Sequence, residues 1–203
     1  MSSVLHLIAG RLPALAPDEP RLRGALELGG ALERAPGVRA ALLGRSERHI
    51  VSACWLDDRA ALEPFAASPP HMAFVVRGLA PLVSGMWSAS IAADASPPPA
   101  AGAVAMWAMA VPERAGIFEW EVRALLAAVE ALPGEAASGP TVEERDRFRA
   151  GAVILLRAEE RERFDAALRE ARGAWPRFAS DIEEALVGLR DAPGGPYSGE
   201  PAS

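Results

Sequence analysis

The chain has 203 residues, half of them hydrophobic, with a net charge of −6 and a single cysteine. That length suits one large or two small domains, and the apolar content supports a buried core rather than a disordered chain. One cysteine forms no internal disulfide, and an acidic balance without an aromatic-rich basic cluster argues against nucleic acid as a partner.

Lys, Asn and Gln are absent, so all 21 basic residues are arginine. This removes lysine Schiff-base chemistry, a Walker-type phosphate loop and any carboxamide oxyanion donor. The apolar runs fall short of a membrane span, and the start MSSVLHLIAGRL lacks a basic leader. A reducing, cytoplasmic setting without membrane contact is expected, with Cys54 as a small buried strand residue.

Residues 4–9 (VLHLIA) read as a short strand. Residues 18–35 read as a helix with Leu22, Ala25, Leu26, Gly29 and Leu32 on one face. Gly24, Gly29 and Gly30 each cost about 1 kcal/mol against alanine there, so tertiary packing must hold this helix. Pro36-Gly37 stops it. Strands follow over 38–45 and 49–56, joined by a turn over 46–48. In the second strand His49, Val51, Ala53 and Trp55 alternate with Ile50, Ser52, Cys54 and Leu56. Both sets are mainly apolar, whereas a sheet wet on one side alternates cleanly. Helices are expected to cover one face and a second sheet the other. Asp57 and Asp58 suit a helix start, and Pro64 shortens that helix. Ser68 reads as the cap of the next one, with Pro69 at its first position. Pro81 ends it, and a strand covers 83–91. The order β-α-β-β-α-β is the ferredoxin-like split unit.

Residues 94–102 (DASPPPAAG) read as a linker between a first unit over 1–93 and a second over 103–190. In the second unit a strand covers 103–111, and an amphipathic helix covers 118–132 before Pro133-Gly134 stops it. A weak strand lies over 135–141, a strong one over 148–157 and a helix over 158–175. Phe178, Ile182, Leu186 and Leu189 then fall at helical spacing over 177–190. The fourth strand is therefore missing, or reduced to 186–190. The whole reads as an internal repeat of about 100 residues whose second copy is degenerate, followed by a tail over 191–203. The acidic run from Glu143 to Arg147 reads as a solvated turn, and Glu119, Trp120 and Glu121 as helix surface.

Pro36-Gly37, Ser52-Ala53-Cys54-Trp55, Asp57-Asp58 and Ser68-Pro69-Pro70-His71, in that order, resemble the antibiotic-biosynthesis monooxygenase family of the dimeric α/β-barrel superfamily. The resemblance covers residues 4–91; the second unit shares only the topology. It implies an α+β fold in which tandem ferredoxin-like units pack sheet against sheet as an α/β barrel enclosing a small pocket. It also implies cofactor-free oxygenation of aromatic substrates. The haem-degrading branch uses an Asn on the first strand, a Trp in the helix after the third strand and a His further on. This chain has no Asn, carries Phe65 where that Trp falls, and does not align His71 with that His. Haem degradation and an Asn-dependent mechanism are therefore not expected.

His6, His49, Trp55 and Trp87 are expected on the concave face, with His6 and His49 sharing a parity within neighbouring strands. There the tryptophans would wall a pocket for a flat ligand and a histidine would deprotonate it. His71 is expected at the pocket rim. The competing reading makes the tryptophans barrel core and the histidines ordinary strand residues. The three histidines lack HxH or HxxxH spacing, so no metal site is expected, and no cofactor. The leading function is a cofactor-free monooxygenase acting on a small aromatic or hydrophobic molecule. The alternative is a non-catalytic ligand-binding or assembly protein of the same fold, with a homodimer among the expected partners.

Overall fold

The computed structural model describes residues 3–14, 20–93, 102–114, 116–143 and 147–189. Most of the expected linker (94–101) and the expected tail lie outside the described residues. The elements are β1 (Ser3–Arg11), α1 (Pro20–Gly30), β2 (Val38–Arg45), β3 (His49–Leu56), α2 (Leu62–Ala66), α3 (Pro69–Met72) and β4 (Gly85–Ala93). They continue with β5 (Ala103–Pro112), α4 (Glu119–Glu130), β6 (Glu135–Pro140), β7 (Phe148–Arg157), α5 (Arg161–Ala174) and β8 (Glu183–Leu189). The caps act as the sequence suggests. Asp58 Oδ1 accepts from the Ala61 N–H at 3.1 Å and Ser68 Oγ from the His71 N–H at 3.4 Å. Beyond α3 the helix widens to π-type spacing over Ala73–Leu79, with the Ala80 N–H reaching back to the Val75 carbonyl. Among the described residues no helix is long and apolar enough to cross a membrane.

Eight strands form one antiparallel sheet in the order β4-β1-β3-β2-β8-β5-β7-β6. Each half repeats the ferredoxin-like order, and the halves join where Gly44 and Arg45 of β2 pair with Leu189 and Gly188 of β8. The opposite edges also meet, through an Ile91–Thr141 bridge and a 2.8 Å bond from the Val142 N–H to the Ser90 carbonyl. The sheet thus curls into a barrel within a single chain. Its inward side chains, among them Leu5, Leu7, Trp55, Ile91, Met106 and Val153, form one apolar cluster. Two further cores lie outside, one under α1–α3 and one under α4 and α5. These are the two covered faces that the apolar parity of β3 implied.

The expected helix over 177–190 is corrected. A 3-10 turn (Arg177–Asp181) leads into β8, which completes the second unit. Ala185, Val187 and Leu189 alternate inward, and the slot between β2 and β5 supplies hydrogen-bond partners on both sides. A paired central position outweighs a helical period read from four residues. Glu121 is corrected as well. It is buried, and its carboxylate accepts the Phe118 N–H at the start of α4, while Trp120 beside it is 67% exposed.

Glycines stand at both seams because nothing larger fits. A Cβ on Gly44 would lie 2.5 Å from Val187 Cγ2, and one on Gly139 would lie 1.8 Å from the Ala92 carbonyl oxygen. A backbone oxygen cannot turn aside as a side chain can. Gly139→Ala is expected to cost about 3 kcal/mol or more, at or beyond the upper end of ordinary overpacking. Gly24→Ala, mid-helix with open space around it, is expected to stabilise by about 0.5–1 kcal/mol. Urea unfolding midpoints check the two opposite signs.

Candidate functional site

The register sorts the five candidate residues into three places. His6 pairs with Cys54 and Ser90, all on the sheet face that packs under α1–α3, whereas His49 shares the inward parity of Val51 and Trp55. The expectation of one concave face for His6 and His49 is therefore corrected. Their shared parity within separate strands did not survive the register, which sets His6 against an even-numbered partner on β3.

Trp55 is 0% exposed in the barrel interior, and its indole N–H has no partner among the described residues. The cavities described at the barrel lie at its mouth and outside it. None is lined by Leu5, Leu7, Trp55 or Val153. Leu5, Leu7, Trp55 and Val153 are 0% exposed, so side chains fill the interior there, and the described cavities do not lie where the pocket between the sheets was expected.

The mouth holds His49 and Trp87. A 190 Å³ cavity there is lined by both residues together with Arg11, Arg147, Phe148 and Glu183. It adjoins a 360 Å³ cavity that shares Trp87, Arg147 and Phe148 and adds Ser90 and Glu143. Trp87 and Phe148 form the floor, with ring centroids 5.9 Å apart. Burial lowers the His49 pKa, the Arg11 and Arg48 charges lower it further, and Glu183 and Glu184 act in the opposite sense.

His6 and His71 meet elsewhere, between the outer face of the sheet and α2–α3. Their ring centroids are 5.6 Å apart, and Phe65 packs 5.4 Å from His6 and 4.7 Å from His71. Sequence brings His71 there directly: the Ser68 cap and Pro69 start a helix whose first turn faces the sheet. His71 Nδ1 lies 2.9 Å from the Ala66 carbonyl, which only accepts, so Nδ1 carries the proton and Nε2 is a bare lone pair. The same logic applies to His6. Its Nδ1 lies 2.9 Å from Ser90 Oγ, and the Ser90 hydroxyl donates to Glu143 Oε2 at 3.2 Å. With that proton turned to Glu143, the Ser90 oxygen faces His6 as an acceptor, the arrangement in which His6 Nδ1 donates and Nε2 is again bare. Both Nε2 atoms are buried and have no hydrogen-bond partner among the described residues. The residues are 8% and 9% exposed. Two lone pairs without donors, inside a low-dielectric layer, are costly unless something supplies a proton or an N–H or O–H group.

Burial, then the neighbouring His71, pushes the His6 pKa from 6.5 down to about 3. Burial also lowers His71, against a raising effect of its bond to Ala66. The folded protein keeps the His6 ring neutral, while the unfolded chain takes up that proton below about pH 6.5. Between pH 6.5 and 3 the unfolded state binds more protons at His6, so stability falls on acidification, and His6 adds nothing further below about pH 3. The slope is up to about 1.4 kcal/mol per pH unit for one such group. The loss of stability with falling pH across this window is expected to be steeper for the wild type than for His6→Phe. Equal slopes would contradict the neutral buried ring.

Ser90, Glu143 and Phe148 belong to these sites and were not singled out in the sequence, and Phe65 was noted only as standing where the haem-degrading branch carries a Trp. Glu143 lay in the run read as a solvated turn, and only the seam between the units carries it to Ser90. Cys54 is buried beside His6 with its thiol pushed up to about 12 by burial and then by Glu33, which matches a small core residue. Among the described residues the second unit has no such polar cluster: midway along β5 the outward residue is Trp107, packed on Phe164 and donating to Glu184. Among the described residues no three His, Cys, Asp or Glu side chains come close enough to hold a metal ion.

No family model matches the sequence, and no curated protein matches it. Solved structures do. An anthrone oxidase-like protein superposes with a TM-score of 0.57 at 10% identity, covering 93% of this chain and 92% of that one. The cofactor-independent oxygenase SnoaB from Streptomyces nogalater aligns over 49% of this chain and 100% of its own, at 16% identity and a TM-score of 0.39. A dimeric ferredoxin-like protein of unknown function from Thermobifida fusca aligns over 45% of this chain and 91% of its own, at 16% identity and a TM-score of 0.40. The full-length likeness establishes the fold, an α/β barrel of ferredoxin-like units as the sequence resemblance implied.

Proposed function

We propose that the chain binds a small hydroxylated aromatic molecule against His6 and His71 and oxygenates it without a cofactor. The observation that carries this reading is the pair of buried, bare Nε2 atoms beside the Phe65 ring. None of the described cavities is lined by His6, His71 or Phe65, so a flat O–H donor reaches these atoms only where α2 and α3 open away from the sheet. His71 is the better proton acceptor of the two. Its Nδ1–H bond to the Ala66 carbonyl strengthens when the ring becomes cationic, and a bound phenolate raises the pKa that burial lowers. His6, whose pKa burial and then the neighbouring His71 push down to about 3, orients the substrate as a hydrogen-bond acceptor.

The chemistry then belongs to the substrate anion. The phenol proton moves to His71 Nε2, and the phenolate passes one electron to dioxygen. The radical pair combines at a ring carbon bearing hydrogen, forming a C–O bond. Heterolysis of the O–O bond and loss of that hydrogen give a quinone carbonyl and water, consuming one dioxygen and releasing one water per substrate. The anthrone oxidase-like neighbour fits this class of substrate by its description.

Oxygen uptake with a panel of electron-rich phenols and naphthols tests the reading. Uptake by the wild type and its loss in His71→Phe support it; no turnover across the panel overturns it. A second reading, non-catalytic ligand binding, is favoured by the mouth cavities, where Trp87, Phe148 and Arg147 form an aromatic floor beside a cation. Quenching of Trp fluorescence that survives His71→Phe but disappears in Trp87→Phe would favour it.

A further inference from the structure

We infer that Phe65 holds the place of the ligand's ring and that α2 turns outward to release it, so Phe65 decides which ligands enter. The inference deepens the proposed site and rests on it. The rings of His6, Phe65 and His71 form a triangle, with 5.4 Å from His6 to Phe65, 4.7 Å from Phe65 to His71 and 5.6 Å between the histidines. Such spacings put all three in contact. A flat molecule stacked between two rings needs about 7 Å between them, twice the optimal approach of two carbon atoms. None enters while Phe65 stays, and none of the described cavities reaches these rings. Phe65 meets the two imidazoles edge-on or tilted, contacts that another aromatic ring can take over. It fills the space but brings no hydrogen to either buried Nε2 atom. A phenol in its place brings the O–H group that these atoms lack.

The chain around Phe65 allows that movement. α2 is five residues long and buries only Leu62 besides Phe65. In front of it the chain is fixed to the sheet, where the Asp57 N–H bonds the Gly37 carbonyl at 3.0 Å. Behind it α3 starts on its own Ser68 cap and runs into the π-type segment. That segment is seated on α1, where a Cβ on Gly78 would lie 3.3 Å from Ala25 Cα. α3 and His71 are thereby held from behind, independently of α2. The Ala66 carbonyl stays bonded to His71 Nδ1 at 2.9 Å. Residue 66 is then the pivot, and His71 keeps its orientation while Phe65 turns away. Entry is selective for this reason. A ring without a donor gives back only the packing that Phe65 already supplies, whereas a hydroxylated ring adds the hydrogen bond that offsets the cost of opening.

The test is the binding of naphthol and of naphthalene to the full-length protein without dioxygen. Phe65→Ala vacates the ring position. It is expected to bind naphthol about 10- to 1,000-fold more tightly than the wild type, the factor for a binding-competent state populated at about 0.1–10%. Phe65→Leu keeps more of the core and should show a smaller gain in the same direction, which carries the test if the alanine variant is too unstable to titrate. Both variants should prefer naphthol to naphthalene, and adding His71→Phe should reduce that preference. An ordinary emptied core takes naphthalene at least as well, so equal affinities for the two would overturn the inference. In the wild type, nuclear Overhauser contacts between the Phe65 ring and both imidazoles should disappear at saturating naphthol. Naphthol that shifts the His6 and His71 signals with those contacts intact, or that binds the Phe65 variants no more tightly, would overturn the inference and leave the histidine site standing. Naphthol that binds neither the wild type nor the variants would overturn the inference together with the site it rests on.

Discussion

His71→Phe is expected to reduce oxygen uptake with the best phenol substrate by about 10²–10⁴-fold, the usual contribution of one general base. Phenylalanine keeps the flat ring against Phe65 and removes the Nε2 lone pair, so the loss reads proton transfer rather than shape. It also leaves the Ala66 carbonyl without its donor, which costs about 1–3 kcal/mol of stability. Folding must therefore be checked at the assay temperature. His6→Phe should lose less in kcat and more in KM, since His6 orients rather than accepts the proton. His49→Ala, at the barrel mouth, should leave turnover within a few-fold. If His49→Ala abolishes uptake while His71→Phe keeps it, the chemistry sits at the mouth.

Trp55→Ala is expected to destabilise the fold by about 3–5 kcal/mol, the range for emptying a large aromatic site in a core. The side chain is 0% exposed and packs in the cluster formed by the inward faces of both units. Its removal leaves a void that strands of a closed barrel cannot easily collapse to fill. Trp55→Phe should cost much less. It keeps most of the ring volume and removes an indole N–H that is buried without a partner, a group whose burial itself costs about 1–3 kcal/mol. Urea midpoints of the two variants separate the terms. An alanine variant near wild-type stability would mean that the interior is not packed as described.

Much of the fold was legible from local chemistry. Pro36-Gly37 and the polar turn at 46–48 bracket β2 and β3, and the apolar parities of β3 foretold a sheet covered on both faces. Ser68 and Pro69 placed the helix start that carries His71. The β8 region was not legible in the same way: Phe178, Ile182, Leu186 and Leu189 satisfy a helical period, and only the vacant slot between β2 and β5 decides for strand. The site was harder still. Which histidine faces inward depends on the register of β1 against β3 and β4, and no pattern within one strand carries that. Glu143 meets Ser90 across the seam between units, 53 positions away in the chain. Its neighbours in sequence are charged and say only that the stretch is wet.

The central claim is that His6 and His71 hold two bare Nε2 lone pairs that take a donor from a phenolic ligand. Titrating an electron-rich naphthol into the protein without oxygen, and following the 15N signals of both rings, tests it most directly. Saturable shifts of the His6 and His71 Nε2 signals are expected, largest at His71 and toward the protonated range, with His49 unmoved. Shifts confined to His49, or none at saturating naphthol, would contradict it.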